Sequence, residues 1–289
     1  MKNIYIAICL VIVAFLSHQT SNAQQDPNFS LYNYNMTLLN PAYAGSQESD
    51  GFTMAYRKQW IGFPGAPKSI SGTYSWSTRK KLGIAINVFS NKYIVSNRVN
   101  VSADVSYNVQ LADETKLYFG LKLGGGFYNV DLANVVTPFP DPNFSENINA
   151  FNTHLGFGMY LVDTNYYISV STPNFIREKI GTNSTTEKTN FYVGGGYHFK
   201  INDNFTLTPR AMMHLLGTFE NSYDVGASLT IKEKFTLGTN YRIDEMITFY
   251  GLFNPFKNVT FGFSYDTITS SFGASNLNGS LDIILKYRL

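Results

Sequence analysis

The side chains best suited to metal or proton chemistry in this 289-residue sequence are its four histidines, His18, His154, His198 and His214. His18 lies just after an N-terminal apolar stretch. The other three are far apart, and no Asp/Glu cluster accompanies them. A histidine metal site needs ligands that converge, and none of these has a neighbour at ligand spacing. Serine and aspartate are plentiful, so a Ser–His–acid set can be assembled on paper almost anywhere, but no Gly-x-Ser-x-Gly elbow occurs. The single cysteine, Cys9, sits in the apolar stretch. Beyond it the chain offers no thiol nucleophile, disulfide or Cys-metal site. Gly124-Gly125-Gly126 and Gly194-Gly195-Gly196 are not followed by a helical pattern, so they do not read as phosphate loops. Neither an enzyme nor a cofactor is expected. The polar residues must be explained by the elements that carry them.

Those elements alternate. Val99, Val101, Ala103, Val105, Tyr107 and Val109 fall on one face, and Asn100, Ser102, Asp104, Ser106 and Asn108 on the other. A strand turns successive side chains to opposite faces, so this stretch has one apolar and one polar wall. Residues 222–231, 235–243 and 259–266 repeat the pattern. Charged residues make up only 15% of the chain and aromatics reach 16%. After the N-terminal stretch, no run of ~18 apolar residues exists to cross a membrane as a helix. The strands are long, and their polar faces are rich in Gly and Ser with a few charges. This combination predicts an all-β fold, a transmembrane antiparallel β-barrel of about 14 strands in which half of each strand faces lipid.

The predicted strands lie near 51–60, 68–78, 82–90, 96–111, 115–128, 149–162, 165–172, 190–200, 204–216, 222–232, 234–243, 246–254, 258–266 and 280–289. Every even-numbered connection is short, and the three longest, 129–148, 173–189 and 267–279, are all odd. Barrels of bacterial outer membranes have tight periplasmic turns and longer extracellular loops, so the parity sets the orientation. His154, His198 and His214 face the lumen in this register. So do Arg57, Lys122, Arg210, Arg242, Lys286 and Arg288, against Asp104, Asp224, Asp266 and Asp282. The mixed signs are expected to form a cross-lumen network that props the barrel. The triple glycines are expected to allow wall curvature, or to make room for the N-terminal segment.

Three regions are expected. Residues 1–23 read as a cleaved signal peptide, with Lys2 as the positive end, residues 4–16 as the apolar core and Ser21-Asn22-Ala23 before the cut. Its removal leaves 21 basic against 20 acidic residues, a net charge of +1 that would not attract nucleic acid. Residues 24–50 do not alternate. They predict a periplasmic, plug-like segment with a short helix near 31–39, capped by Ser30, and a turn at Asn40-Pro41. Residues 51–289 form the barrel. Its last stretch is amphipathic, with Leu281, Ile283, Leu285, Tyr287 and Leu289 on the apolar face. Such a terminal strand suits insertion by barrel-assembly machinery.

The N-terminal block LNPAYAG, with Asn40, Pro41, Ala42, Tyr43 and Gly45, is followed by YRKQWIGFPGAPKSISGTYSW at 56–76. Together with Arg57, Gln59, Trp60, Gly62, Pro64, Gly65, Ala66 and Pro67, it resembles the signature of the PorP/SprF family of type IX secretion membrane proteins of Bacteroidetes. The rest of the chain matches in length and alternation. The resemblance implies a role in type IX secretion or gliding motility, with periplasmic secretion-ring components or a secreted surface protein or adhesin as partners. Read physically, Pro64 and Pro67 fix φ while Gly62 and Gly65 allow sharp bends, which predicts a rigid extracellular loop. That loop either binds a partner or simply closes the barrel top. Pro138, Phe139, Pro140 and Phe144, in a Pro- and Phe-rich long loop, are further candidates for binding a partner, because stiff aromatic anchors lose little entropy on docking. The leading expectation is an outer-membrane barrel, set among outer-membrane lipids, that anchors or assists export of a secreted protein. The alternative is a porin-like or hydrophobic-solute channel.

Overall fold

A computed structural model describes residues 29–46, 50–78, 81–132, 147–176, 179–180, 185–186, 189–217, 221–269 and 278–289. The expected signal peptide and Pro138, Phe139, Pro140 and Phe144 lie outside the described residues. Three 3-10 turns, η1 (Tyr32–Tyr34), η2 (Met36–Leu38) and η3 (Pro41–Tyr43), come first. The strands follow: β1 (Gly51–Lys58), β2 (Lys68–Ser77), β3 (Leu82–Tyr93), β4 (Ser96–Gln110), β5 (Lys116–Val130), β6 (Ile148–Val162), β7 (Tyr166–Thr172) and a two-residue pair, β8 (Lys179–Ile180) and β9 (Thr185–Thr186). The chain continues with β10 (Asn190–Tyr197), β11 (Phe199–Asn202), β12 (Phe205–Leu216), β13 (Ser222–Ile231), β14 (Phe235–Arg242), β15 (Met246–Phe256), β16 (Val259–Ile268) and β17 (Ser280–Arg288).

All strands but β8 and β9 join one antiparallel sheet. It closes on itself, because β10 pairs with both β7 and β12, and β1 pairs with β17 from Gly51↔Arg288 to Lys58↔Leu281. The strands β10 and β11 are two parts of one wall strand, interrupted at His198, so the barrel has fourteen staves. Every even connection is short, as the parity predicted, with residues 79–80 of the first lying outside the described residues. Between β13 and β14 the amide of Lys234 bonds to the Ile231 carbonyl at 3.0 Å, with Lys232 and Glu233 both at positive φ. That is the mirror-image turn whose twist matches a two-stranded ribbon.

The burial pattern inverts that of a water-soluble protein. The most buried wall residues are polar or charged, including Ser69, Asp104, His214, Asp224 and Ser264, whereas Leu121, Leu123, Phe127 and Phe151 stand exposed. Lipid solvates the outer apolar face, and the backbone groups are satisfied strand to strand in a closed sheet with no edge.

Residues 29–46 lie inside the barrel. The expected helix near 31–39 is instead two 3-10 turns separated at Asn35 (φ −141°). Ser30 does not cap it, because its hydroxyl is drawn to wall charges. Asn40 does open a turn, accepting from the amide of Ala42 at 2.9 Å, with Pro41 in the first position, where its missing N–H costs nothing. The charge network also differs from expectation. Its ion pairs run along the wall rather than across the lumen: Asp104↔Lys122, Asp224↔Arg242 and Arg57↔Asp282 are direct cross-strand partners, and Arg57 also reaches past β17 to Asp266 on β16. Such partners have Cβ atoms only ~5 Å apart, and the chain itself fills the centre.

Candidate functional site

The site is the contact between the N-terminal segment and the lumen wall. It begins with Arg57 on β1, almost fully buried, whose guanidinium bonds to Asp282 at 2.6 Å and Asp266 at 2.8 Å. The same group donates to the Ser30 hydroxyl at 2.7 Å, which in turn donates to Asp266 at 2.7 Å. Asp282 also accepts the backbone amides of Ser30 (2.6 Å) and Leu31 (3.4 Å). Two carboxylates and one cation buried together would be costly alone, and the extra donors on Ser30 and Leu31 offset that desolvation.

Two further clusters grip the segment. Arg242 makes a two-pronged contact with Asp224 at 2.7 and 3.0 Å, and His214 shares that carboxylate at 3.1 Å. The ring of Tyr32 stands edge-on to His214, with centroids 5.8 Å apart. Burial raises the Tyr32 phenol well above its ordinary pKa, so it remains a neutral neighbour. On the opposite wall, Lys122 lies 3.3 Å from Asp104 and donates to the Thr37 carbonyl at 3.0 Å. Asn35 receives the Thr73 hydroxyl at 3.2 Å and donates to Ser71 at 3.3 Å. Arg210 lies over the rings of Tyr34 and Tyr250, 5.9 and 5.3 Å from their centroids.

The Asn40–Gly45 block docks at the short-turn end. The amide nitrogen of Asn40 donates to the Met159 carbonyl (3.0 Å) and the Ser169 hydroxyl (2.8 Å) while its oxygen caps its own turn. Ala42 and Ala44 are fully buried, and the Ala44 carbonyl accepts the Ser106 hydroxyl at 2.6 Å. Tyr43 leans on Tyr160 at 4.9 Å. Gly45, at φ +62°, donates to Ser75 at 2.9 Å. The wall makes room with glycines: a Cβ at Gly120 would overlap Pro41 and Ala42, at Gly158 it would overlap Asn40, and at Gly83 it would overlap the Ala44 carbonyl. The triple glycines do not do this. Added Cβ atoms at Gly124 and Gly126 would meet wall neighbours such as Ser102 and Asn100. In the sequence the triple glycines stand out and Gly83, Gly120 and Gly158 do not, because only the fold reveals what fills the space beside them.

The predicted residues of the 59–67 loop gather at the long-loop end, across the barrel from Asn40–Gly45. Two successive turns close with Phe63 N to Trp60 O at 3.0 Å and Ala66 N to Phe63 O at 3.2 Å, and Gln59 N reaches Pro67 O at 3.0 Å. Gly62 and Gly65 take φ of +90° and +74°, and Pro64 is exposed between them. The Gly65 carbonyl accepts Ile94 N from the β3–β4 turn at 3.0 Å, and Asn278 donates to the Ile61 carbonyl at 2.8 Å. The expected stiff loop is present, and it presents Phe63 to solvent. Of this second block, Arg57 reaches the N-terminal segment at Ser30, and Ser71, Thr73 and Ser75 reach it at Asn35 and Gly45. Between segment and wall, toward the long loops, lies a cavity of about 170 Å³ lined by apolar residues such as Phe29, Leu38 and Phe89 and by polar and charged ones such as Asn100, Lys122 and His154. His198 bonds to Thr208 at 3.0 Å, away from His214 and its Asp224. Among the described residues, no group of three His, Cys, Asp or Glu is placed to hold a metal.

The family model described as type IX secretion system membrane protein PorP/SprF matches residues 21–287. The chain belongs to the PorP/SprF family. No curated protein matches it significantly. Solved outer-membrane barrels share its fold. A FadL homologue of Pseudomonas aeruginosa aligns with a TM-score of 0.53 at 11% identity, covering 91% of this chain and 95% of that one. The Pseudomonas putida toluene transporter TodX aligns at 0.52 and 9%, covering 88% and 93%. Omp33 of Acinetobacter baumannii aligns at 0.51 and 10%, covering 85% and 100%. This PorP/SprF protein is therefore a β-barrel of the bacterial outer membrane within a type IX secretion family.

Proposed function

We propose that this PorP/SprF barrel anchors, or assists the export of, a secreted surface protein, with its lumen plugged by residues 29–46 and its outward face used for docking. Family membership over residues 21–287 is the observation that carries this reading. The filled lumen supports it, because a segment bonded to staves around the wall leaves little room for an aqueous path. The stiff loop at 59–67, with Trp60 packed edge-on against Phe63 and Tyr93, supplies a preorganised aromatic docking element on the outward face. Secretion-ring components in the periplasm would meet the short-turn end, where Asn40–Gly45 docks. The test is affinity purification from native outer membranes beside single-channel recording of the pure barrel. Recovery of a large secreted protein with negligible conductance is expected. A steady conductance with no such protein would overturn the reading.

A second reading has its own support. The cavity of about 170 Å³ is close in size to an apolar cavity known to hold benzene. The FadL homologue and the toluene transporter share the fold. In that reading the segment is a movable hatch on a route for hydrophobic solutes, and uptake of a monoaromatic probe into barrel-containing vesicles would favour it.

A further inference from the structure

We infer that residues 29–46 have a function besides occupying the lumen: they are the template around which the barrel closes. The seam lies between β1 and β17, the first and last staves. At it, Arg57 and Asp282 are direct cross-strand partners, and both hold Ser30. Ser30 is 27 positions from Arg57 but 252 from Asp282 and 236 from Asp266. Local contacts form ahead of distant ones, because the entropy of closing a loop rises with its length. Ser30 and Arg57 can thus come together before the last hairpin arrives. Joined, they present a guanidinium, a hydroxyl and two backbone amides, a ready receptor for the two carboxylates carried by β16 and β17.

The rest of the segment touches the wall in every direction. Asn35 meets β2, Thr37 meets β5, Asn40 meets β6 and β7, and Ala44 meets β4. Tyr32 meets β12, and Tyr34 faces Tyr250 of β15. Gly83, Gly120 and Gly158 have no space for a side chain with the segment in place. A wall closed first would then have to admit a chain that fits this tightly through an already complete ring. A wall that curls around the chain meets no such obstacle. The closed barrel buries Arg57, Asp282 and Asp266, and the segment supplies an acceptor for Arg57 and donors for the two carboxylates as burial occurs.

The full-length chain, with Cys9→Ser to leave no other thiol, lends itself to an order-of-events test. A urea-unfolded Met36→Cys variant is diluted into lipid vesicles; Met36 is buried against Tyr192 and Met212. Thiol reactivity and the folded gel mobility of unheated samples are followed together. The thiol should become protected no later than the barrel closes. A closed barrel with a reactive thiol would overturn the inference, because the segment would then dock afterwards. In parallel, Ser30→Ala should slow closure at least tenfold while changing the unfolding rate less than twofold. Closure at the parent rate with faster unfolding would assign the segment to stability alone. If Ser30→Ala does not fold, the Met36→Cys order decides.

Discussion

Asn40 illustrates how a single side chain divides its bonding capacity. Its oxygen accepts from Ala42 to cap the turn, and its nitrogen gives two hydrogens to Met159 and Ser169 on the wall. Aspartate has the same shape and caps turns equally well, yet it has no hydrogens to donate. Asn40→Asp would therefore keep the turn, leave Ser169 without this donor, and press a carboxylate on the Met159 carbonyl. A buried charge or acceptor left unpaired costs ~1–3 kcal/mol or more. The expected outcome is a folded barrel with a loosened segment, read as a lower urea midpoint in lipid and a rise in single-channel conductance. Asn40→Ser, which keeps a donor and an acceptor, should lie between parent and aspartate. Equal behaviour of Asp and Ser would show that the turn matters and the wall contact does not. None of this division could be read from the sequence, where Asn40 appears as the start of a turn before Pro41 and as part of the signature block. The partners on β6 and β7 lie 119 and 129 positions away, and no local pattern announces them.

Along each stave the sequence was far more legible, and the reason is physical. Each residue of a barrel strand has one solvent, lipid or lumen, so polarity alternates with the geometry of the strand and the register can be read directly. All fourteen staves were placed to within a few residues, Lys286 and Asp282 fell on the lumen side as expected, and the parity of short turns held. Legibility failed at residues 29–46, whose environment is supplied by strands distant in sequence, so helical spacing was expected where 3-10 turns wrap charges. It failed also at His198, where the stave breaks two residues after Gly196. The lipid-facing register makes a depth-dependent prediction. Ile283 lies mid-way along β17 and is 47% exposed to the outer side, whereas Tyr287 lies near the short-turn end. Arginine at a bilayer midplane costs ~2–4 kcal/mol and near the interface ~0–1. Ile283→Arg should lower folding stability in vesicles by an amount in the first range and Tyr287→Arg by one in the second. Equal losses, measured by urea titration with gel mobility, would mean that β17 is set at another depth.

The whole molecule has two ends of different character, and the family signature contributes to both. Asn40–Gly45 secures the segment at the short-turn end, and eight-residue β1 carries the chain across to the stiff loop at the other. Rigid aromatics on a preorganised loop are the residues expected to dominate binding, since little entropy is lost when they dock. Phe63 fits that description: it is 46% exposed, its ring meets Trp60 edge-on at 6.3 Å, and the loop beneath it is tied to β3–β4 and to the start of β17. Its polar replacement removes an anchor without touching the loop's own hydrogen bonds, all of which use backbone or other side chains. Phe63→Ser is therefore expected to leave the amount of folded barrel unchanged and to reduce the secreted partner retained at the cell surface severalfold, as read by immunolabelling of that partner. A Phe63→Cys variant, labelled on intact cells with a membrane-impermeant maleimide, checks in the same strain that the loop faces outward, while Asp113→Cys in a short turn should label only after the outer membrane is opened. Loss of retention with outward labelling places the partner on this loop. Undiminished retention with outward labelling removes Phe63 from the interface and moves the search to the long connections at 129–148 and 173–189. Labelling of Asp113→Cys but not Phe63→Cys on intact cells would reverse the barrel, and the docking face would then have to be sought at Asn40–Gly45.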